Sequence, residues 1–326
     1  MNVGEIINLT RSTVLDDTIE PFLWGNDEII HYLNIITEEL YRETLLVEDR
    51  STVSLTQFKL LSNMGLYTID DRILNIKEGA YLLHHHENHR HRTLIRTSEA
   101  YMDQLRRGWR EEHHHGGEWH TPERYIPECG RGYFYIYPKY HRKGEVVGVL
   151  SISFTAATSQ ISITGVDEDG NPWNFTTHYD VGDEINISGT VKNNGYVTVA
   201  SLTASEITIN QTLFDEFLTS ATLRKVCNTL ITVVNRLPLA PFTTADITAN
   251  PPVAPEIKTI YHRELIYGIG REAFLKEDTQ TLDPASSDKN GKRFELLKAK
   301  VKKDLIFLDR SERQVRSGRS GIWKSY

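Results

Sequence analysis

Cysteine is nearly missing from this chain. Its 326 residues hold two, Cys129 and Cys227, and neither stands in a C-x-x-C spacing. A disulfide framework, a zinc ribbon and a dithiol redox pair are therefore excluded, and both residues read as reduced thiols of a protein that folds in a cytoplasm. Long apolar runs are also missing: none approaches the ~20 residues that span a bilayer. The N-terminus has no basic-then-apolar signal pattern. There is no G-x-S-x-G elbow, no P-loop and no nucleotide-binding glycine motif. Acidic neighbours such as Glu38-Glu39 and Glu111-Glu112 read as helix-surface or loop charge, and nothing selects a glycosidase pair among them. The sequence thus assigns no catalytic residue, no cofactor and no enzymatic role.

What is present is ordinary in bulk and uneven in distribution. Hydrophobic residues make up 39% and charged residues 25%, as in a globular protein with a real core. The net charge is −7, but the stretch from Lys289 to Tyr326 holds twelve Lys/Arg and four Asp/Glu, a local +8, which leaves −15 on the other 288 residues. An acidic body with a basic tail suits a tail that docks on something negative, a partner protein or nucleic acid, the alternative being a solvated terminal helix.

Histidine is abundant, with 13 residues, nine of them in two runs: His84, His85, His86, His89 and His91, then His113, His114, His115 and His120. Neutral imidazole is a common Zn or Ni ligand, which makes His84, His85, His86, His89, His113, His114 and His115 the metal candidates. H-E-x-x-H spacing is absent, however, and adjacent histidines cannot all face one ion, so no metal is assigned. Interleaved with Arg90, Arg92 and Arg96, the cluster reads better as a polar loop or a subunit interface, the interface candidates being His84, Arg90, Arg92 and Arg96. Titration near pH 6.5 is a further option.

Periodicity predicts a short helix over residues 4–15. A second runs from Asn26, read as its N-cap, to about Leu46, with Ile29, Leu33, Ile36 and Leu40 as the apolar stripe and Trp24 packing back on it. The acidic face of this helix, with Glu28, Glu38 and Glu39, is a candidate channel or subunit surface. Short strands are expected at Thr52–Leu60, Leu66–Ile69, residues 70–76, Tyr133–Pro138 and Val146–Phe154, and a helix at Ser98–Trp109. Between about 155 and 228 helical periodicity vanishes. Apolar residues fall two apart at Ile161/Ile163, Ile185/Ile187, Val197/Val199 and Ile207/Ile209, with turn signals at Asp169-Gly170 and Asn193-Asn194-Gly195. Two helices then follow, at Glu256–Lys276 and Ser287–Leu308. Gly268 and Gly270 in the first are read as sites of close approach.

The expected fold class is α+β: a helical bundle with small strands and hairpins, an inserted all-β sandwich- or barrel-like domain, and an extended C-terminal arm. The expected segments are 1–154 and 229–310 for the core, 155–228 for the β insertion and 311–326 for the arm.

The order of motifs carries a resemblance. Trp24-x-Asn26-Asp27-Glu28, Asn34 and Glu38, Asp71-x-Ile73-Leu74, Pro122-x-x-Tyr125 and Gly132-x-Phe134-x-Ile136-Tyr137-Pro138 are followed by Arg236-Leu237-Pro238-Leu239, Pro255-Glu256, Tyr261-His262-x-x-Leu265 and Asp278. This series resembles the head-to-tail adaptor proteins of short-tailed bacteriophages. The Val181-Gly182-Asp183-x-Ile185 and Asn193-Asn194-Gly195 segment is similar to small β-domains of phage structural proteins.

The resemblance implies a virion protein that assembles in the host cytoplasm into a ring, expected to be dodecameric, at the neck beneath the portal. It implies partners too: further copies of itself, the portal, a tail, nozzle or fibre protein, and genomic DNA sliding through without sequence-specific binding. An acidic wall suits such sliding, because it does not hold phosphate by counterion release. Arg313, Arg316, Arg319, Trp323 and Lys324 are the expected portal-docking residues. The alternatives are a tail-associated binding protein whose β-module contacts a fibre or the host surface, and a metal-dependent enzyme.

Overall fold

The computed structural model describes residues 1–62, 64–77, 80–83, 92–106, 108–110, 122–139, 151–164, 173–218, 221–277 and 280–319, the last part (307–319) by its backbone path alone. The protein is mixed α/β and divides into two compact units. One holds Met1–Asp49, Asp71–Asn75 and the chain from Val234 onward. The other holds Arg50–Asp70 and Ile76–Val233. The main helices are α1 (Val3–Thr10), α2 (Asn26–Thr44), α3 (Glu99–Leu105), α4 (Leu265–Ala273) and α5 (Pro284–Arg319). Among the described residues no helix is long and apolar enough to cross a membrane.

The first unit is helical. Ile29, Leu33, Ile36 and Leu40 recur at three- and four-residue spacing, so a helix puts them on one face, and all four are fully buried. They meet Leu265 and Ile269 of α4 and Phe294, Leu297 and Val301 of α5 in one core. Burying each such side chain is worth roughly 1.5–3 kcal/mol. The two glycines of α4 do what their positions suggest. A Cβ on Gly268 would come within 2.9 Å of Ile36 and 3.0 Å of Phe294, and one on Gly270 would overlap Val14. The helices pack closely because those methyl groups are missing.

Three local details of this unit differ from the sequence reading. The N-cap of α2 is Gly25, whose N–H donates to Glu28 Oε2 at 2.9 Å. Asn26 instead accepts a hydrogen bond from Arg11 Nη2 at 2.9 Å. The helix expected over 256–276 is a single turn at Thr259–His262 followed by α4. A continuous helix would offer the Ile257 carbonyl to a backbone N–H four residues on, but His262 Nε2 donates to it at 2.9 Å. The chain expected to be extended from Arg310 is helical as far as Arg319. Nothing there breaks a helix before Gly318, and Asp309 and Glu312 each stand four residues before an arginine, the spacing that supports a helix.

The second unit is built of strands. Among the described residues a ten-stranded antiparallel sheet includes Ser151–Thr155, Gln160–Thr164, Glu184–Ser188, Gly195–Leu202, Glu206–Ile209 and Thr222–Ile231. The alternating pairs read from the sequence all point inward: Ile161, Ile163, Ile185, Ile187, Val197, Val199, Ile207 and Ile209 share one buried cluster with Phe154 and Phe175. Period-two alternation requires this of a half-buried strand.

Two expected segment boundaries fall inside strands. That at 154/155 cuts Ser151–Thr155, which pairs with Gln160–Thr164. That at 228/229 cuts Thr222–Ile231, whose first half pairs with Glu184–Ser188 and whose second half pairs with Gln57–Leu61. The interior of that strand is polar, with Lys225 and Asn228 both buried, so no apolar alternation reveals it. In the same unit, the helix expected over Ser98–Trp109 ends at Leu105. Gly108, at φ +74°, turns the chain there. Leu105 is consequently exposed, while Met102 and Trp109 remain buried.

Candidate functional site

The basic C-terminal region begins as a core helix, and much of its charge is already matched within the chain. Lys298 of α5 is buried, with its Nζ 2.7 Å from Glu39 Oε1, 2.7 Å from Glu43 Oε1 and 2.5 Å from Glu295 Oε1. Burial opposes its positive charge, but the hydrogen bonds to Glu295, Glu39 and Glu43 win and raise its pKa. Lys302 reaches Glu43 at 3.3 Å and Lys300 reaches Glu264 at 2.8 Å. Glu39 also receives Arg271 Nη2 at 2.5 Å. The Arg271 hydrogen bond, opposed by burial and aided by Lys298, pulls the Glu39 carboxyl down to about 2.

Glu28 pairs with Lys276 at 2.7 Å and Glu38 with Arg42 at 2.8 Å. Glu28, Glu38 and Glu39 of the acidic face of α2, expected to line a channel or meet a neighbour, are therefore each ion-paired within their own unit, while Glu38 and Arg42 remain about half exposed. Amphipathic spacing shows which face is polar; it does not show what that face meets.

The motif residues that carry the resemblance turn out to hold the fold. Arg236 donates through Nε to Asp49 at 2.6 Å and through Nη1 to Glu256 at 2.8 Å, joining two of the quoted motifs in one buried ion cluster. Asn34 exchanges two hydrogen bonds with the Phe242 backbone, at 2.9 and 2.8 Å. Tyr261 donates to Asp304 at 2.7 Å. Burial, followed by Asp304, pushes its phenol up to about 12.

The expected docking residues Arg313, Arg316 and Arg319 lie on the backbone of α5, whereas Trp323 and Lys324 lie outside the described residues. So do His84, His85, His86, His89, His113, His114, His115 and Arg90. Arg92 begins a two-residue strand, and Arg96 ends another whose side chains are exposed. Among the described residues no group of His, Cys, Asp and Glu is placed to hold a metal ion.

Sequence reasoning missed one concave site, a pocket of about 620 Å3 in the second unit. Its walls bring together residues far apart in the chain: Trp109 and Arg110, Tyr135 and Lys139, and Asn186 with Arg224. The last two stand directly opposite each other on paired strands. The Arg110 guanidinium lies 4.5 Å over the Trp109 ring and is held by Asp103 at 2.6 Å. Lys139 runs across Gly65, where an added Cβ would sit 3.0 Å from its Cγ. Among the described residues Lys139 makes no ion pair. Apolar walls with cationic tips suit a ligand group that pairs an apolar body with a carboxylate. Only strand register and a glycine turn assemble these walls, so no local motif marks them.

No known protein family matches the sequence, and no curated protein sequence matches it either.

Proposed function

We propose that the protein is a structural virion component: a head-to-tail connector that forms a ring beneath the portal, joins the DNA-filled head to the tail and surrounds the DNA exit channel. The observation that carries this reading is α5. Its first half is fixed in the core by Phe294, Leu297 and Val301. The same 36-residue helix then runs on with arginines at 310, 313, 316 and 319, past the last position that is fully buried. A basic helix anchored at one end in the core suits attachment to an acidic ring, because a helical segment has less conformational freedom to lose on docking than an extended tail. The arginine spacing and the order of motifs support the same reading, with the portal above, a tail or fibre protein below, and DNA passing without specific contacts.

Mixing the full chain, and a chain lacking residues 311–326, with an isolated portal ring tests this by sedimentation. The full chain is expected to co-sediment as a ring. The shortened chain is expected to stay folded and unbound. Undiminished docking of the shortened chain would remove the role of α5.

A second reading has its own observation. In the β unit, Asn193 exchanges hydrogen bonds with the Phe214 backbone at 3.0 and 2.8 Å, bracing two loops on which Val191 and Phe214 are exposed, and Phe217 is exposed on the strand that follows. An ordered apolar patch of this kind suits contact with a fibre or the host surface. Loss of such binding on Phe214→Asp, with the portal interaction intact, would favour that role.

A further inference from the structure

The loop between α1 and α2 is exposed, apolar and unusually well fixed. Ile19 is 82% exposed, Leu23 48% and Phe22 36%, and Glu20 stands among them on the surface. Such a run normally avoids water, yet its two ends are tied by a buried ion pair. Arg11 Nη1 donates to Asp17 Oδ2 at 2.7 Å, and Arg11 Nη2 donates to the Trp24 carbonyl at 2.7 Å. Asp17 in turn accepts the backbone N–H groups of Leu23 and Trp24 at 3.0 and 3.2 Å. The Arg11 guanidinium covers the Phe22 ring at 3.9 Å. The loop is therefore a preformed knob, and a partner would meet little ordering cost in binding it. Glu20 makes no ion pair among the described residues.

The pocket of the second unit has the opposite character. It is concave and largely apolar, and its rim carries Lys139, which is also unpaired among the described residues. Among the described residues, a carboxylate without an ion pair beside an exposed isoleucine thus has, on the same chain, a complementary concave surface bearing an ammonium likewise without one. Two different, complementary patches on one chain make a heterologous contact, and repeated heterologous contacts close into rings when the rotation permits.

We propose that the knob of one copy enters this pocket on the next copy, with Ile19 against its apolar wall and Glu20 paired with Lys139. The proposal rests on the ring reading and names the contact that would build the ring.

Charge reversal tests it on the full chain, with association followed by mass measurement, alone and on a portal ring. Glu20→Lys and Lys139→Glu are each expected to weaken association by about tenfold or more, and the double variant is expected to recover it. Glu20 is exposed and Lys139 half-buried, and circular dichroism checks that each variant keeps its fold. A chain carrying Glu20→Cys and Lys139→Cys should also form disulfides between copies.

Rings that form normally from both single variants would overturn the knob contact and leave the ring reading standing. Loss with Lys139→Glu alone, and none with Glu20→Lys, would assign the pocket to a different acidic ligand and overturn the contact too. A wild-type chain that stays monomeric both alone and on the portal would overturn the ring reading, and this contact with it.

Discussion

Lys298 and Glu39 lie 259 residues apart in the chain and 2.7 Å apart in the fold. Their pairing fixes α5 against α2, and it also explains why a strongly basic terminal region is not simply a solvated tail. The cation nearest the core is matched by the protein's own carboxylates.

Replacing Lys298 is therefore expected to cost stability. Lys298→Ala removes the cation shared by Glu39, Glu43 and Glu295, but these carboxylates are partly exposed, Glu39 keeps Arg271 and Glu43 keeps Lys302, so losing the charged hydrogen bonds is expected to cost about 1–3 kcal/mol. The cost should show as a lower urea midpoint with an unchanged slope. Lys298→Met, which keeps the stem packing, should lose less.

Acid should weaken the first unit in a defined window. The Glu39 carboxyl titrates near 4.5 when unfolded and at about 2 when folded. Its depressed folded pKa means that the unfolded chain takes up the proton first. Its contribution is therefore complete above pH 4.5, declines as the pH falls, and is gone below about 2. Urea unfolding measured across this range should show the decline, and Glu39→Gln should flatten that part of the curve.

The α4 glycines should resist the smallest possible enlargement. Gly268→Ala pushes a methyl group into Ile36 and Phe294, and Gly270→Ala pushes one into Val14. Each is expected to cost about 1–3 kcal/mol through overpacking. Gly130, around which an added Cβ meets nothing within 4 Å, serves as the control. Its alanine variant should be neutral or slightly stabilising in thermal unfolding.

Cutting the brace beneath the exposed loop should free it without unfolding the β unit. Asp17→Ala removes the acceptor for Arg11 and for two backbone N–H groups. Protease cleavage between residues 17 and 24 should become faster, and the helical unit should lose about 3 kcal/mol or more because Arg11 is left buried and unpaired. Cleavage at the wild-type rate would show that the loop is held by other contacts.

Local pattern determined a good deal of this protein. The stripe Ile29, Leu33, Ile36 and Leu40 predicts α2 and its buried face, because helical spacing leaves those side chains no other common side. The isoleucine and valine pairs predict the inward face of the β unit by the same logic with a period of two. Gly268 and Gly270 could be read as contact points because their helix-propensity cost needs a reason. The charge split between body and tail was also legible from a residue count.

Tertiary structure decided the rest, and the physical reason is that partner choice is not local. A carboxylate on a helix face reads alike whether it meets solvent, a neighbouring subunit or a lysine from 259 residues away, and only the folded chain assigns Glu39 to Lys298. The strand Thr222–Ile231 hides its period because Lys225 is neutralised by Asp183 and can be buried. The pocket bearing Lys139 exists because strand pairing brings Arg224 and Asn186 to one wall. The sequence on its own settles which faces are apolar in its clearly periodic segments; where the strand Thr222–Ile231 runs, how far α5 extends and which charges of the core find each other are settled by the fold.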